Sequence, residues 1–256
     1  MDNRVAVVTG ASSGIGRATA VQLAKADWDV LVLARTNDEG AQKTAEQVRL
    51  AGRECHVMLQ DFADTDALEG FVSDCWSWKN RVDAWVNNAG ADVLTGDQTA
   101  LDFAAKLNVV LQVDVVATMV LSRAIANLMT PVFEQAGRRG CIVNIGWDQA
   151  TTGMAGDSGE MFAASKGAIM ATSKSLAQSL APSVRVNCVA PGWIQTAWGQ
   201  KASETWQTRA VNDSLLQRWG TPDDVAAVVK FLASADAEFI NGQVICVNGG
   251  FRFSKD

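Results

Sequence analysis

Apolar residues along the chain fall into two kinds of run that alternate. Short runs rich in valine, isoleucine and leucine predict strands over 5–8, 30–34, 55–59, 82–86, 141–145, 184–189 and 244–247. Between them lie longer stretches that predict helices over 18–25, 39–50, 67–79, 102–129 and 157–179. A further helix is expected to open with Thr221 as N-cap and Pro222 in its first turn. Several strand runs are apolar throughout instead of alternating, the signature of strands buried on both faces of a parallel sheet. The 102–129 stretch is apolar almost all round its turns, so burial on more than one face is expected. Strand and helix in turn predict an α/β fold, a doubly wound parallel sheet of about seven strands with helices on both faces. No repeat, linker or low-complexity segment divides the chain, so one domain over 1–256 is expected.

The first strand runs into Thr9-Gly10-Ala11-Ser12-Ser13-Gly14-Ile15-Gly16-Arg17. Gly10 can take backbone angles closed to other residues, Gly14 lets main chain approach a ligand, and Gly16 lets helix pack on strand. Free N–H groups at the helix start, with the positive end of the helix dipole, make a seat for a pyrophosphate. The plainer alternative is a tight strand–helix turn with no ligand.

Composition narrows the function classes. The 256 residues carry a net charge of −6, which argues against general nucleic-acid or anionic-membrane binding. Strand-like sequence from Val5 leaves no room for a signal peptide, and no uncharged apolar run reads as a membrane span. Five scattered cysteines and one histidine make a metal site improbable, and a reducing cytoplasm is the expected home. His56 precedes a run that reads as buried and is expected to be structural. The segment 193–216 holds three of the nine tryptophans, Trp193, Trp198 and Trp206. They are expected either to form an apolar lid over a substrate or to pack that segment onto the body or a neighbouring subunit.

The Thr-Gly-x-x-x-Gly-x-Gly spacing resembles the short-chain dehydrogenase/reductase family. So do Asn87-Asn88-Ala89-Gly90, Val186-Asn187-Cys188-Val189-Ala190-Pro191-Gly192 and Arg218-Trp219-Gly220-Thr221-Pro222-Asp223-Asp224-Val225-Ala226. Phe231-Leu232-Ala233-Ser234, Asn241-Gly242-Gln243 and Val247-Asn248-Gly249-Gly250 extend the resemblance over nearly the whole chain. It implies a single-domain Rossmann fold, a nicotinamide cofactor, an oxidoreductase moving hydride between nicotinamide and a carbonyl or alcohol carbon, and a homodimer or homotetramer. The nearest analogy is a 3-oxoacyl-[acyl-carrier-protein] reductase.

By that resemblance the cofactor-binding residues are Gly10, Ser12, Ser13, Gly14, Ile15, Gly16, Arg35, Asp61, Phe62, Asn88, Ala89, Gly90, Lys166, Pro191, Gly192, Ile194 and Thr196. At the end of the second strand, where a carboxylate would bind ribose hydroxyls, stand Ala34 and Arg35. A guanidinium there suits a 2′-phosphate, with Ser12, Ser13 and Thr36 as hydroxyl donors, so NADP(H) is expected over NAD(H). The alternative is that Arg35 only stacks on adenine.

The family's catalysis needs Tyr-x-x-x-Lys, a serine and an asparagine. Lys166 matches the lysine; Phe162 stands at the tyrosine position, and the chain contains no tyrosine. The asparagine position holds Asp114. Counting forward from the fifth strand puts the serine position on Trp147, and counting back from Phe162 puts it on Gln149. Asp114 is expected to pair with Lys166. Asp114 and Asp148 are candidate proton donors, and Thr151 or Thr152 a candidate for orienting a carbonyl. Three readings stay open: an oxidoreductase with an unusual acid, a cofactor-binding pseudoenzyme, or non-redox lyase or isomerase chemistry in the same pocket. The substrate is not specified by the sequence.

Overall fold

The computed structural model describes residues 4–251, so residues 1–3 and 252–256 of the expected domain lie outside it. Seven parallel strands form one sheet: β1 (Arg4–Val8), β2 (Trp28–Ala34), β3 (Cys55–Leu59), β4 (Ala84–Asn87), β5 (Gly140–Ile145), β6 (Val184–Pro191) and β7 (Val244–Val247). Their order is β3-β2-β1-β4-β5-β6-β7. The chain reverses direction across the sheet between β1 and β4, which opens a crevice at the carboxyl ends of those strands.

Side-chain alternation sorts the strands' apolar residues into two cores. Ala6, Val8, Val30, Val32, Val86, Val143 and Val189 face α1 (Gly14–Ala24), α2 (Asp38–Leu50) and α9 (Pro222–Ala233). Val7, Leu31, Leu33, Trp85, Ile142 and Val186 face α3 (Leu68–Ser77), α5 (Ala117–Ala136) and α6 (Asp157–Leu180). Covering both faces explains why the central strands read as unbroken apolar runs. The remaining helices are α4 (Phe103–Val110), α7 (Ala197–Lys201) and α8 (Glu204–Asp213). Thr221 caps α9 in a capping box with Asp224, with Pro222 in the first turn.

Several elements depart from the expected bounds. Helix α1 begins at Gly14, four residues before the predicted start, because Ser13 already stands at the N-cap in extended backbone. The expected 102–129 helix is a continuous rod over Phe103–Ala136, passing through Pro131 and ending at Gly137 in the left-handed conformation. Its middle, Leu111–Val116, is wound as a π-helix. Contrary to the sequence reading, this rod is long and apolar enough to cross a membrane by length and composition. It packs on the sheet, with Ala117, Leu121, Ile125, Met129 and Phe133 buried in the core. Strand β3 lies at the sheet edge and is not the buried run expected. His56 on it is exposed and stacks on Trp78 at 6.0 Å.

Candidate cofactor groove and active-site chamber

The turn after β1 is held by backbone crowding that only glycine permits. A Cβ on Gly16 would sit 2.3 Å from the Gly10 carbonyl oxygen, and one on Gly10 2.8 Å from Ala89 Cα. Gly10 also has φ +62°, a left-handed angle. Thr9 Oγ1 accepts from the N–H groups of Asn88 and Ala89, each at 2.9 Å, while the Asn88 amide donates to the carbonyls of Thr9 and Gly10. The Asn88 side chain thus ties two strand ends together. Arg17 latches the turn to α2, donating to the Ser12 and Gly40 carbonyls and to Thr44 Oγ1.

These constraints shape a groove of ≈ 470 Å³ at the β1/β4 reversal. Gly10, Ser12, Ser13, Gly14, Ile15, Arg35, Asp61, Phe62, Asn88, Ala89, Gly90 and Thr196 all line it. Gly16 does not; it is buried behind the turn. No side chain caps α1 and no acidic residue stands in its first turn, so its leading N–H groups face the groove's end uncompensated. A Cβ on Gly14 would meet only Thr196, at 3.6 Å, which leaves bare backbone for a ligand. At the β2 end Arg35 is exposed and has no hydrogen-bond or ion-pair partner among the described residues. A long groove with free amides at one place and a free guanidinium at another fits a phosphorylated dinucleotide.

Beside the groove, sharing Ile15, Thr196 and Trp198 with it, lies a chamber of ≈ 290 Å³. Lys166, Phe162, Trp147, Pro191, Gly192 and Ile194 line it. Lys166 Nζ stands 2.9 Å from Asp114 Oδ2, the pairing expected from the sequence, as an ion pair in distance whose angle is not that of a hydrogen bond. Asp114 Oδ1 accepts from the Ala91 N–H at 2.7 Å. The carboxylate lies in the π-wound segment and beneath Gly90, whose Cβ position is 3.3 Å from Oδ1. Asp114 therefore supports the floor of the site and does not line it. Such single π turns inside α-helices are frequent at functional sites.

Of the two counts for the residue after β5, Trp147 lines the chamber, whereas Gln149 is 1% exposed and turned away. Asp148 is buried and outside the lining. Burial pushes its carboxyl above the ordinary carboxylate range, although Asn248 Nδ2 donates to Oδ2 at 3.0 Å. Thr151 and Thr152 are exposed and do not reach the chamber. The structure thus corrects three candidates: Asp148, Thr151 and Thr152 are not presented to a ligand there.

The segment after β6 closes the other side. Trp193 lies 6.4 Å from Trp198, 5.5 Å from Trp206 and 6.1 Å from Trp219, and all four indoles line the chamber. Trp219 and Ser158 were not singled out from the sequence. Ser158 carries one of two hydroxyls on the lining, with Thr196 the other. Its i, i+4, i+8 spacing with Phe162 and Lys166 on α6 could have flagged it.

Residues 10–252 match the family model described as enoyl-(acyl carrier protein) reductase. The 3-oxoacyl-[acyl-carrier-protein] reductase FabG of Aquifex aeolicus is 33% identical over 255 residues, covering 98% of each chain. A solved structure of a putative short-chain alcohol dehydrogenase from Sinorhizobium meliloti superposes with a TM-score of 0.86 at 30% identity, covering 98% of this chain and 96% of that one. A putative NAD(P)-dependent gluconate 5-dehydrogenase from Beutenbergia cavernae, solved with bound NADP, gives 0.84 at 32% identity and 96% of both chains.

Proposed function

The chain belongs to the short-chain dehydrogenase/reductase family, and from that premise we propose that it binds NADP(H) in preference to NAD(H) and carries out oxidoreductase chemistry without a phenolic proton donor. The observation that carries the cofactor preference is Arg35, a guanidinium without a partner among the described residues, following Ala34 where a ribose-binding carboxylate would exclude a 2′-phosphate. When bound, the cofactor supplies hydride. The α1 amides and Ser12 and Ser13 hold phosphate, Asp61 and Phe62 border the adenine end, and Asn88–Gly90 offer backbone beside the ribose.

Lys166 is read as the ribose-binding cation, its charge balanced by Asp114. Thr196 and the backbone of Pro191, Gly192 and Ile194 are read as the nicotinamide clamp, and residues 193–216 as a substrate lid. Phe162 and Trp147, standing where relatives use tyrosine and serine, offer no group to protonate a substrate oxygen. The same two residues favour a second reading, a cofactor-binding pseudoenzyme that senses NADPH or partners an active relative. Titration of nicotinamide fluorescence with NADPH and with NADH tests the preference: tighter NADPH binding is expected, and a clear preference for NADH overturns it.

We further propose a homodimer or homotetramer in the cytoplasm with no nucleic-acid or membrane partner. Met119 and Val132 on α5, each about two-fifths exposed, suit a neighbouring copy. A monomer mass by light scattering would reject the assembly.

A further inference from the structure

The chamber wall is aromatic to an unusual degree. Trp147, Phe162, Trp193, Trp198, Trp206 and Trp219 line it, and the first five remain half-buried, with ring surface open to a ligand. Its one cationic side chain among the described residues, Lys166, is balanced by Asp114 at 2.9 Å. Apart from Lys166, the polar side chains on the wall are Ser158, Thr196 and the indoles, none of which gives up a proton near neutral pH. The faces of aromatic rings attract organic cations through the ring quadrupole, and a ring of them selects a cation over a neutral molecule of the same shape. Two of these indoles already hold a cation: Arg209 lies 5.7 Å from the Trp193 ring and 5.0 Å from the Trp206 ring, with Asp213 at 3.3 Å.

We propose, resting on the NADP(H) reading above, that the chamber takes an organic cation as its hydride acceptor: a cyclic iminium of one or two fused rings, not a neutral ketone. A ketone needs a proton on oxygen as hydride arrives, and apart from the Lys166 ammonium, which is paired with Asp114, the described residues of this wall have none to offer. An iminium needs none. Its carbon gains the hydride that the dihydronicotinamide loses, the C=N π pair becomes the nitrogen lone pair, and a neutral amine and a pyridinium result with no proton entering or leaving. One positive charge is present before and after, so the Lys166–Asp114 pair faces the same total charge throughout. An unpaired ammonium in that place would repel such a substrate; Asp114 removes the repulsion. The ≈ 290 Å³ volume suits a molecule of one or two rings.

The test uses N-methyl dihydroisoquinolinium, a permanent cation, and α-tetralone, a neutral molecule of nearly the same shape. In cofactor-free protein the cation is expected to quench tryptophan fluorescence with at least about tenfold higher affinity than the ketone. Trp206→Leu should weaken cation binding several-fold, Trp206→Phe less, and Asp114→Asn roughly tenfold while leaving α-tetralone unchanged. With NADPH, oxidation of the cofactor above the protein-free rate is expected for the iminium, flat across neutral pH, and none for α-tetralone. Equal quenching by the two probes, or turnover of the ketone alone, overturns the proposal. NADPH binding measured in the same samples separates the two readings. Bound NADPH with no transfer to the iminium overturns this inference alone, and absence of NADPH binding overturns both.

Discussion

Replacing Asp114 by asparagine keeps the side chain's shape and removes its charge. The Asp114 side chain is 1% exposed and that of Lys166 15%. The bond from the Ala91 N–H survives, because an asparagine oxygen can accept it. What is lost is the attraction across 2.9 Å. At an effective dielectric near 20, two unit charges at that distance attract by roughly 6 kcal/mol before desolvation is subtracted. Removing one member of a buried pair typically costs about 3–5 kcal/mol, because the other charge is left uncompensated. Lys166 keeps some access to the chamber, so a loss of about 2–3 kcal/mol is expected for Asp114→Asn. For a chain of this length that is a fall in Tm of about 5–10 °C. Calorimetry on Asp114→Asn, Lys166→Met and the double variant reads the pair directly: the double variant should be more stable than the sum of the single losses, by at least about 1 kcal/mol. A Tm change under about 2 °C for Asp114→Asn, or strictly additive losses, would refute the ion-pair account.

Gly16→Ala forces a Cβ to within 2.3 Å of the Gly10 carbonyl oxygen and 2.5 Å of Asn88 Nδ2, so a loss of roughly 3 kcal/mol is expected. An unchanged urea midpoint would contradict that crowding. Burial raises the Asp148 carboxyl above its unfolded value. Its contribution to stability is therefore full below the ordinary carboxylate range and is lost as pH rises through the raised value. Asp148→Asn, which can keep the Asn248 contact, should flatten the stability profile as pH rises above the ordinary carboxylate range; an unaltered profile rejects the assignment. Arg35→Ala should weaken NADPH binding by about ten- to a hundredfold and leave NADH nearly unaffected, read from the paired titrations. Equal losses for both cofactors would point to adenine stacking instead.

The sheet was legible because buried parallel strands are marked by unbroken apolar runs, and the β1 turn because its glycines answer to specific crowding. Position within the sheet was not legible: nothing in Cys55–Leu59 itself says that β3 is an edge, so the run that follows His56 reads as buried although Leu59 is exposed. The π turn at Leu111–Val116 leaves no mark in hydrophobic periodicity, although it carries Asp114 beneath Gly90. The rod's passage through Pro131 to Ala136 likewise runs against local signals, since proline usually ends a helix. In the chamber, Lys166 and Phe162 could be found by helical spacing, and Trp193, Trp198 and Trp206 by their clustering in one segment. Trp219 joins them only in three dimensions, and the one-residue step from Trp147 to Asp148 along the loop turns the side chain from cavity to core.

The proposal to test first is a cofactor-binding scaffold whose chamber lacks a dissociable phenol. Its most direct test compares the wild type with a Phe162→Tyr, Trp147→Ser double variant, following NADPH binding by fluorescence and then NADPH consumption with ketones and 3-oxoacyl thioesters. The expected result is NADPH binding by both proteins and carbonyl reduction by the double variant alone. Carbonyl reduction by the wild type would show that Phe162 and Trp147 do not disable the site, and no NADPH binding by it would reject the cofactor groove.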